Sequence, residues 1–276
     1  GAFSFVFESK LEGYQGWLWS VTLYDSGDEA PTISEVVLLP GENALLAPAW
    51  VPWSERLADY QALQAELEKQ AALDAGLAYL APDGTKDRSG TRFWNASNAC
   101  CDFAKSGVND VDYIDSLIDE ISDSYNLDKS RIYLFGHSNG HFMSYTYLCT
   151  SKNKVAAIAG LAGSMDVDST LCSGKSGNVL HIHGDSDSTI SYTGGSIFAK
   201  RYQSVDDLMK GWSNNNQCSA NTENKLDLIS ATSGEETTSV AYQCSKGSLE
   251  LWKINGGVHV PILDRGFADK VVSWLI

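Results

Sequence analysis

Residues 131–135 read Arg-Ile-Tyr-Leu-Phe and run directly into Gly136-His137-Ser138-Asn139-Gly140, after which a helical pattern begins near His141. A strand, a serine set between glycines at i−2 and i+2, and then a helix leave few options for the backbone. The chain must reverse within a very tight turn, where side chains at the two glycine positions would collide with the flanking elements. Such a turn pushes the Ser138 hydroxyl outward. It also aims the N-terminus of the following helix, with its free N–H groups and positive dipole end, at whatever binds there. The Asn139 backbone N–H is the natural first donor to a developing oxyanion.

From residue 77 onward the pattern alternates short apolar runs with longer helical stretches, as repeated βαβ units around a mostly parallel sheet require. Strands are expected at 77–81, leading into Pro82-Asp83-Gly84, and at 131–135, 155–159, 179–182 and 249–254. Helices are expected at 111–125, where Val111, Ile114, Ile118 and Ile121 share a face, and at 266–275. The polar stretch 213–238 reads as a surface loop or lid. Upstream, 17–24 and 35–39 alternate like strands, and Pro48, Trp50, Pro52 and Trp53 mark an irregular segment. A helix is predicted over 54–75, with Ser54 as its cap and Gly76 as its stop. A chain of 276 residues is expected to form a single domain, with an atypical N-terminal segment over 1–57.

A formal charge of −15 and a sequence pI near 4.6 argue against nucleic acid or anionic membrane as partners, because both would repel the chain at long range. No apolar run is long enough for a transmembrane helix. The Phe3–Phe7 stretch lacks the basic flank of a signal peptide, so a mature secreted or periplasmic form is expected. Six cysteines without Cys-x-x-Cys spacing point to disulfides in an oxidising compartment, among fifteen possible pairings. Oligomeric state is not readable.

A serine hydroxyl needs a base and an orienting carboxylate before it can attack a carbonyl. The chain has five histidines. His137 and His141 flank the serine and are expected to pack around the turn. His181 and His183 alternate onto one side of the 179–182 strand; an HxH pair can ligate metal, but no third ligand of evident spacing accompanies it, and no cofactor is expected. His259 follows a strand and Gly256-Gly257, which places it on a loop at the carboxyl edge of the sheet, where ligands bind in such folds. The carboxylate should lie between Ser138 and His259 in chain order, and His183-Gly184-Asp185-Ser186-Asp187 supplies Asp185 and Asp187.

From about residue 77 to the C-terminus the sequence resembles the polyhydroxybutyrate depolymerases and the related feruloyl and acetylxylan esterases. The motifs that carry the likeness are Pro82-Asp83-Gly84-Thr85, Phe93-Trp94-Asn95-Ala96 with Cys100-Cys101, the serine turn, His183-Gly-x-x-Asp187 and Gly256-Gly257-x-His259. The resemblance implies a three-layer α/β-hydrolase sandwich with a mostly parallel central sheet. It implies a Ser138–His259–Asp187 triad, with Asp187 preferred over Asp185, and a Cys218–Cys244 disulfide. It further implies a small-molecule or polymeric ester as substrate: polyhydroxyalkanoate, feruloyl, acetyl or short-chain. Trp94 and His137 are the candidate substrate contacts.

One departure stands out. Members of that family carry a strand ending in His-Gly whose following loop completes the oxyanion hole. The nearest equivalent here is 35–39 followed by Pro40-Gly41, so Gly41 or Glu42 is the candidate second backbone donor. Residues 16–57 instead resemble an unrelated bacterial domain of unknown function, which makes the chain a possible chimera. A serine peptidase of the same fold is the rival enzyme. A catalytically weak or silent binding protein with an incomplete hole is the rival of another class.

Overall fold

Phe3, Phe5 and Phe7 alternate along the first residues, and Trp17, Trp19 and Val21 along the next run; both segments are strands. In the computed structural model, which describes all of the chain except residues 12, 28, 29, 45, 47–51 and 231–233, β1 (Ala2–Glu8), β2 (Trp17–Tyr24) and β3 (Thr32–Pro40) form an antiparallel sheet in that order. Val21 pairs with both Phe5 and Val36. Phe3–Phe7 thus lies within strand β1, and its period of two is the sign of it in the sequence.

The chain divides into two compact units, Gly1–Ala62 and Leu63–Ile276, where one domain was expected. The junction falls inside α1 (Trp53–Asp74), beyond the boundary at 57 drawn from the sequence. The ladder hydrogen bonds of β1–β3 are made within their own sheet, so that segment needs no place in the larger one. The irregular segment read around Pro48 and Trp50 lies outside the described residues.

In the second unit a small hairpin of β4 (Thr85–Lys86) and β5 (Arg92–Phe93) precedes α2 (Asp110–Ser124), β6 (Tyr133–His137), α3 (Asn139–Thr150), β7 (Ala157–Leu161) and β8 (Val179–Gly184). A second small hairpin, β9 (Gly195–Ile197) with β10 (Lys200–Tyr202), leads to α4 (Val205–Asn216). The antiparallel β11 (Cys218–Leu226) and β12 (Thr237–Cys244) follow, then β13 (Leu249–Ile254) and α5 (Phe267–Leu275). The central sheet has the order β11-β12-β13-β8-β7-β6, and the three pairs from β13 to β6 are parallel.

Alternation along these strands builds three layers, because successive side chains leave opposite faces. Ile158, Val179, Leu249 and Leu251 pack with Tyr145 of α3 and with Leu208 and Trp212 of α4 on one face. Ala159, Leu161, Leu180, Ile182 and Ile254 pack with Phe267 and Val271 of α5 on the other. The fold is an α/β-hydrolase sandwich. Burial of each large aliphatic side chain stabilises it by about 1.5–3 kcal/mol.

Two expectations fail here. Residues 77–81 are not a strand: they line a cavity beside β6, the edge strand of the sheet, and have no ladder partner. The stretch 213–238 is not one continuous loop or lid, and its residues 231–233 lie outside the described residues. It contains the end of α4 and the edge strand β11, whose Ser, Asn, Thr, Glu and Lys residues suit an exposed sheet edge. The Cys218–Cys244 disulfide implied by the resemblance ties β11 to β12, and the other pairs are Cys100–Cys101 and Cys149–Cys172.

Candidate active site

Ser138 sits between β6 and α3 with φ +54° and ψ −117°, a conformation non-glycine residues rarely adopt. Hydrogen bonds hold it there. Its N–H donates to the Leu161 carbonyl at 2.8 Å, and its carbonyl accepts from the N–H groups of His141 at 2.9 Å and Phe142 at 3.1 Å. Gly136 makes the turn possible, since a Cβ there would fall 2.3 Å from the Gly140 carbonyl carbon. The helix starts at Asn139, earlier than the expected His141, so the first-turn N–H groups sit directly behind the serine.

Asp187 and His259 arrive on loops at the carboxyl ends of β8 and β13. Those loops are laced together: Ser186 N–H donates to the Gly257 carbonyl at 3.0 Å, and Asp185 accepts from Gly256 N–H at 2.7 Å while pairing with Lys253 at 3.2 Å. Asp185 therefore braces the β13 loop. Asp187 faces inward, with Oδ2 2.8 Å from His259 Nδ1, and His259 Nε2 lies 2.9 Å from Ser138 Oγ. The Asp187 side chain is fully buried, whereas that of His259 keeps 16% exposure, so the imidazole can meet a reactant from solvent.

Burial pushes the Asp187 carboxyl upward. Hydrogen bonds from His183, His259 and the Ile190 N–H outweigh it and hold the group well below the usual carboxylate range. His137 is lowered, chiefly by burial, with the neighbouring His259 adding to the effect and a hydrogen bond to the His259 carbonyl opposing it. That 2.8 Å bond from His137 Nε2 anchors the backbone of His259, a bracing part where the sequence suggested a substrate contact.

The Asn139 side chain clamps Trp94: it accepts from the Trp94 N–H at 2.7 Å and donates to the Trp94 carbonyl at 2.9 Å. The Trp94 ring is half-buried and stacks on Tyr113 at 6.3 Å between centroids. The proposed donor Gly41 is otherwise engaged. Its N–H donates to the Gly16 carbonyl at 3.1 Å, and β3 pairs with β2 rather than joining the central sheet. Glu42 is exposed in the turn that follows β3.

The nitrogens of His181 and His183 are occupied by hydrogen bonds to Tyr145, to each other and to the Ile190 carbonyl. A cavity of about 1250 Å³ runs along the open edge of β6 and is lined by Phe93, Trp94, His137 and Asn139 but not by Ser138, so it lies behind the nucleophile. What sequence reasoning missed is the contact of His183 with Asp187; the HxH alternation was the available signal.

Residues 103–225 match the Phospholipase/Carboxylesterase family model, and residues 1–89 match a family of proteins of unknown function (DUF3027), a wider span than 16–57. An uncharacterized protein of Mycobacterium tuberculosis is 58% identical over 52 residues, 18% of this chain and 20% of the relative. Feruloyl esterase D of Neurospora crassa is 29% identical over 163 residues, 58% of this chain and 50% of the relative. A bifunctional acetylxylan esterase/xylanase of Neocallimastix patriciarum is 25% identical over 156 residues, 56% of this chain and 22% of the relative. The chain thus spans half or less of the length of each of these relatives. Its two parts resemble different families, so it is a chimera, and the second unit resembles carboxylesterase-type hydrolases.

Proposed function

We propose that the protein is a serine esterase that hydrolyses carboxylic esters through an acyl-enzyme. The observation that carries this reading is the unbroken Ser138–His259–Asp187 hydrogen-bond chain, with Ser138 at a strained strand-to-helix turn. Ser138 Oγ attacks the ester carbonyl while His259 Nε2 takes its proton. Asp187 holds the resulting imidazolium by its Nδ1–H, and the Asn139 N–H, at the positive end of α3, stabilises the oxyanion. His259 then protonates the departing alkoxide. In the second half-reaction it deprotonates water, which releases the acid and regenerates Ser138.

Feruloyl, acetyl, polyhydroxyalkanoate and short-chain esters are the candidate substrates, and feruloyl and acetylxylan esterases are among the relatives by name. Three disulfides favour a secreted or periplasmic setting. A second reading, a weak or silent hydrolase-fold binding protein, is favoured by one observation, the commitment of the Gly41 N–H to Gly16. Loss of one oxyanion donor costs about 10²–10³ in turnover, so a slow enzyme is expected if no other group replaces it.

Hydrolysis of p-nitrophenyl acetate and butyrate by wild type and Ser138→Ala tests both readings. Turnover that Ser138→Ala lowers by roughly 10³-fold or more supports the esterase. Equal rates in two folded proteins, with no labelling of Ser138 by a fluorophosphonate, make the binding protein the better account.

A further inference from the structure

The triad uses one histidine, yet four others are gathered near it, and three of them are buried with no exposure beyond 1%. His181 and His183 project from β8 onto the face covered by α3. There Tyr145 hydroxyl lies 2.9 Å from His181 Nδ1, His181 Nε2 lies 3.1 Å from His183 Nδ1, and His183 Nε2 lies 2.8 Å from the Ile190 carbonyl and 3.4 Å from Asp187 Oδ2. His141 stacks on Tyr145 at 4.7 Å and lies tilted against His181 at 4.9 Å; its ring fills the place where a Cβ of Gly160 would stand, 2.2 Å away.

The need of each donor for an acceptor fixes the direction of this chain. A carbonyl and a carboxylate only accept, so His183 Nε2 must carry a proton. The buried Tyr145 hydroxyl has its partner in His181 Nδ1, so that nitrogen accepts, His181 Nε2–H donates onward, and His183 Nδ1 accepts it. The opposite order would set the His183 lone pair against two oxygens and leave the buried Tyr145 proton without an acceptor. Every donor in the row therefore points toward Asp187.

The end of the row is also the frame of the carboxylate. Asp187 Oδ1 accepts from the N–H groups of Thr189 at 2.8 Å and Ile190 at 2.9 Å, and Oδ2 receives His259 Nδ1 with His183 Nε2 beside it. The same His183 proton holds the Ile190 carbonyl, so it fixes both the carboxylate and the loop that wraps it. From this arrangement, and resting on the esterase reading above, we infer that His183 is a positioning residue for the triad. Its Nε2–H, set by the Tyr145–His181 row, locks the Asp187 carboxylate in the orientation that His259 requires.

The groups that face His183 are His181 on its own strand, Tyr145 and His141 from α3, Asp187 and Tyr192 from the following loop, and Lys253 paired with it in the register of β13. Lys253 is engaged with Asp185 at 3.2 Å. Removal of the His183 donor leaves Asp187 with one partner fewer, so the carboxylate holds the His259 imidazolium more tightly and less well oriented.

The test combines three proteins and two readouts. In His183→Phe, kcat for p-nitrophenyl butyrate falls roughly ten- to hundredfold at unchanged KM. The acid limb of the pH–rate profile moves to higher pH by about half a unit. His183→Gln, whose amide can accept from His181 and donate to Ile190, recovers most of both. Equal losses in Phe and Gln with a wild-type pH profile would reduce His183 to packing and overturn the inference.

Nitrogen-15 NMR of the wild type tests the same point without any variant: His183 protonated at Nε2 supports it, and protonation at Nδ1 overturns it. That measurement stands even if His183→Phe fails to fold. Should wild type hydrolyse no faster than Ser138→Ala, the esterase reading fails by itself. The inference is then decided by the low-field Nδ1 proton of His259, which shifts in His183→Phe if the two groups are coupled and stays in place if they are not.

Discussion

Strand β1 carries Phe3, Phe5 and Phe7 at alternate positions with 50–56% of each exposed, while β8 carries Leu180 and Ile182 at alternate positions with 0% exposed. Both are regular strands with complete registers, and both show the same period of two. The difference lies in what covers them. β8 is central, with helices on both faces, whereas among the described residues every buried apolar side chain lies at Ala71 or beyond. A backbone ladder suffices to form a strand; a core requires layers.

The sharpest way to break this contrast is a matched pair of truncations followed by urea unfolding. Trp212→Ala, at 2% exposure against Tyr145, should cost about 3–5 kcal/mol through lost burial and the cavity left behind. Phe5→Ala should stay within about 0.5 kcal/mol. A large effect at Phe5 would mean that the first unit is covered in solution. Next in size is the pairing of the polar edge strand: replacing Cys218 and Cys244 with serine should remove about 3 kcal/mol, since their link closes a loop between β11 and β12.

Acid isolates the second unit, because all five histidines lie within it. Burial lowers His141 and His181 well below their ordinary value. Below about pH 6.5 the unfolded chain protonates both of these rings while the folded chain resists it, so their contribution is full above that pH and falls as pH drops. Between pH 6 and pH 5 the loss should be about 2 kcal/mol, read from urea midpoints, and His181→Phe should flatten it. A flat profile in the wild type would show that these rings are hydrated.

How much of this was legible follows the same division. The turn at Ser138, the β8 and β13 strands, and the residues now found as a hydrogen-bonded row Ser138–His259–Asp187 could all be read in the sequence. The turn and the strands are local signals, a glycine pair and an apolar run ended by Gly; the carboxylate after β8 was legible only as Asp185 or Asp187, and the preference for Asp187 came from the family resemblance. The engagement of the Gly41 N–H with Gly16 could not be read, because that partner is set by the pairing of β2 with β3. The strand at 77–81 failed because an apolar run becomes a strand only when a neighbour offers a ladder. β11 was hidden by its polarity, which suits an edge and also suits a loop. His183 was visible as half of an HxH pair, but its role depends on Tyr145 and Ile190, which no spacing rule connects to it.

The smallest expected effect probes where the second unit begins. Glu68 lies in α1 beyond the junction at Ala62 and Leu63, and burial raises its carboxyl to about 7, against the lowering effect of its hydrogen bond with Tyr79. Between the unfolded value of 4.5 and about 7 the unfolded chain releases a proton that the folded chain keeps, so the contribution is full at low pH and lost as pH rises. Glu68→Gln removes that loss: it should match wild type at pH 4 and gain about 1–2 kcal/mol over it at pH 8. The same difference at both pH values would mean that Glu68 is solvated and that burial along α1 starts only at Ala71, a full turn later. A gain confined to high pH would place the edge of the core at the turn that carries Glu68.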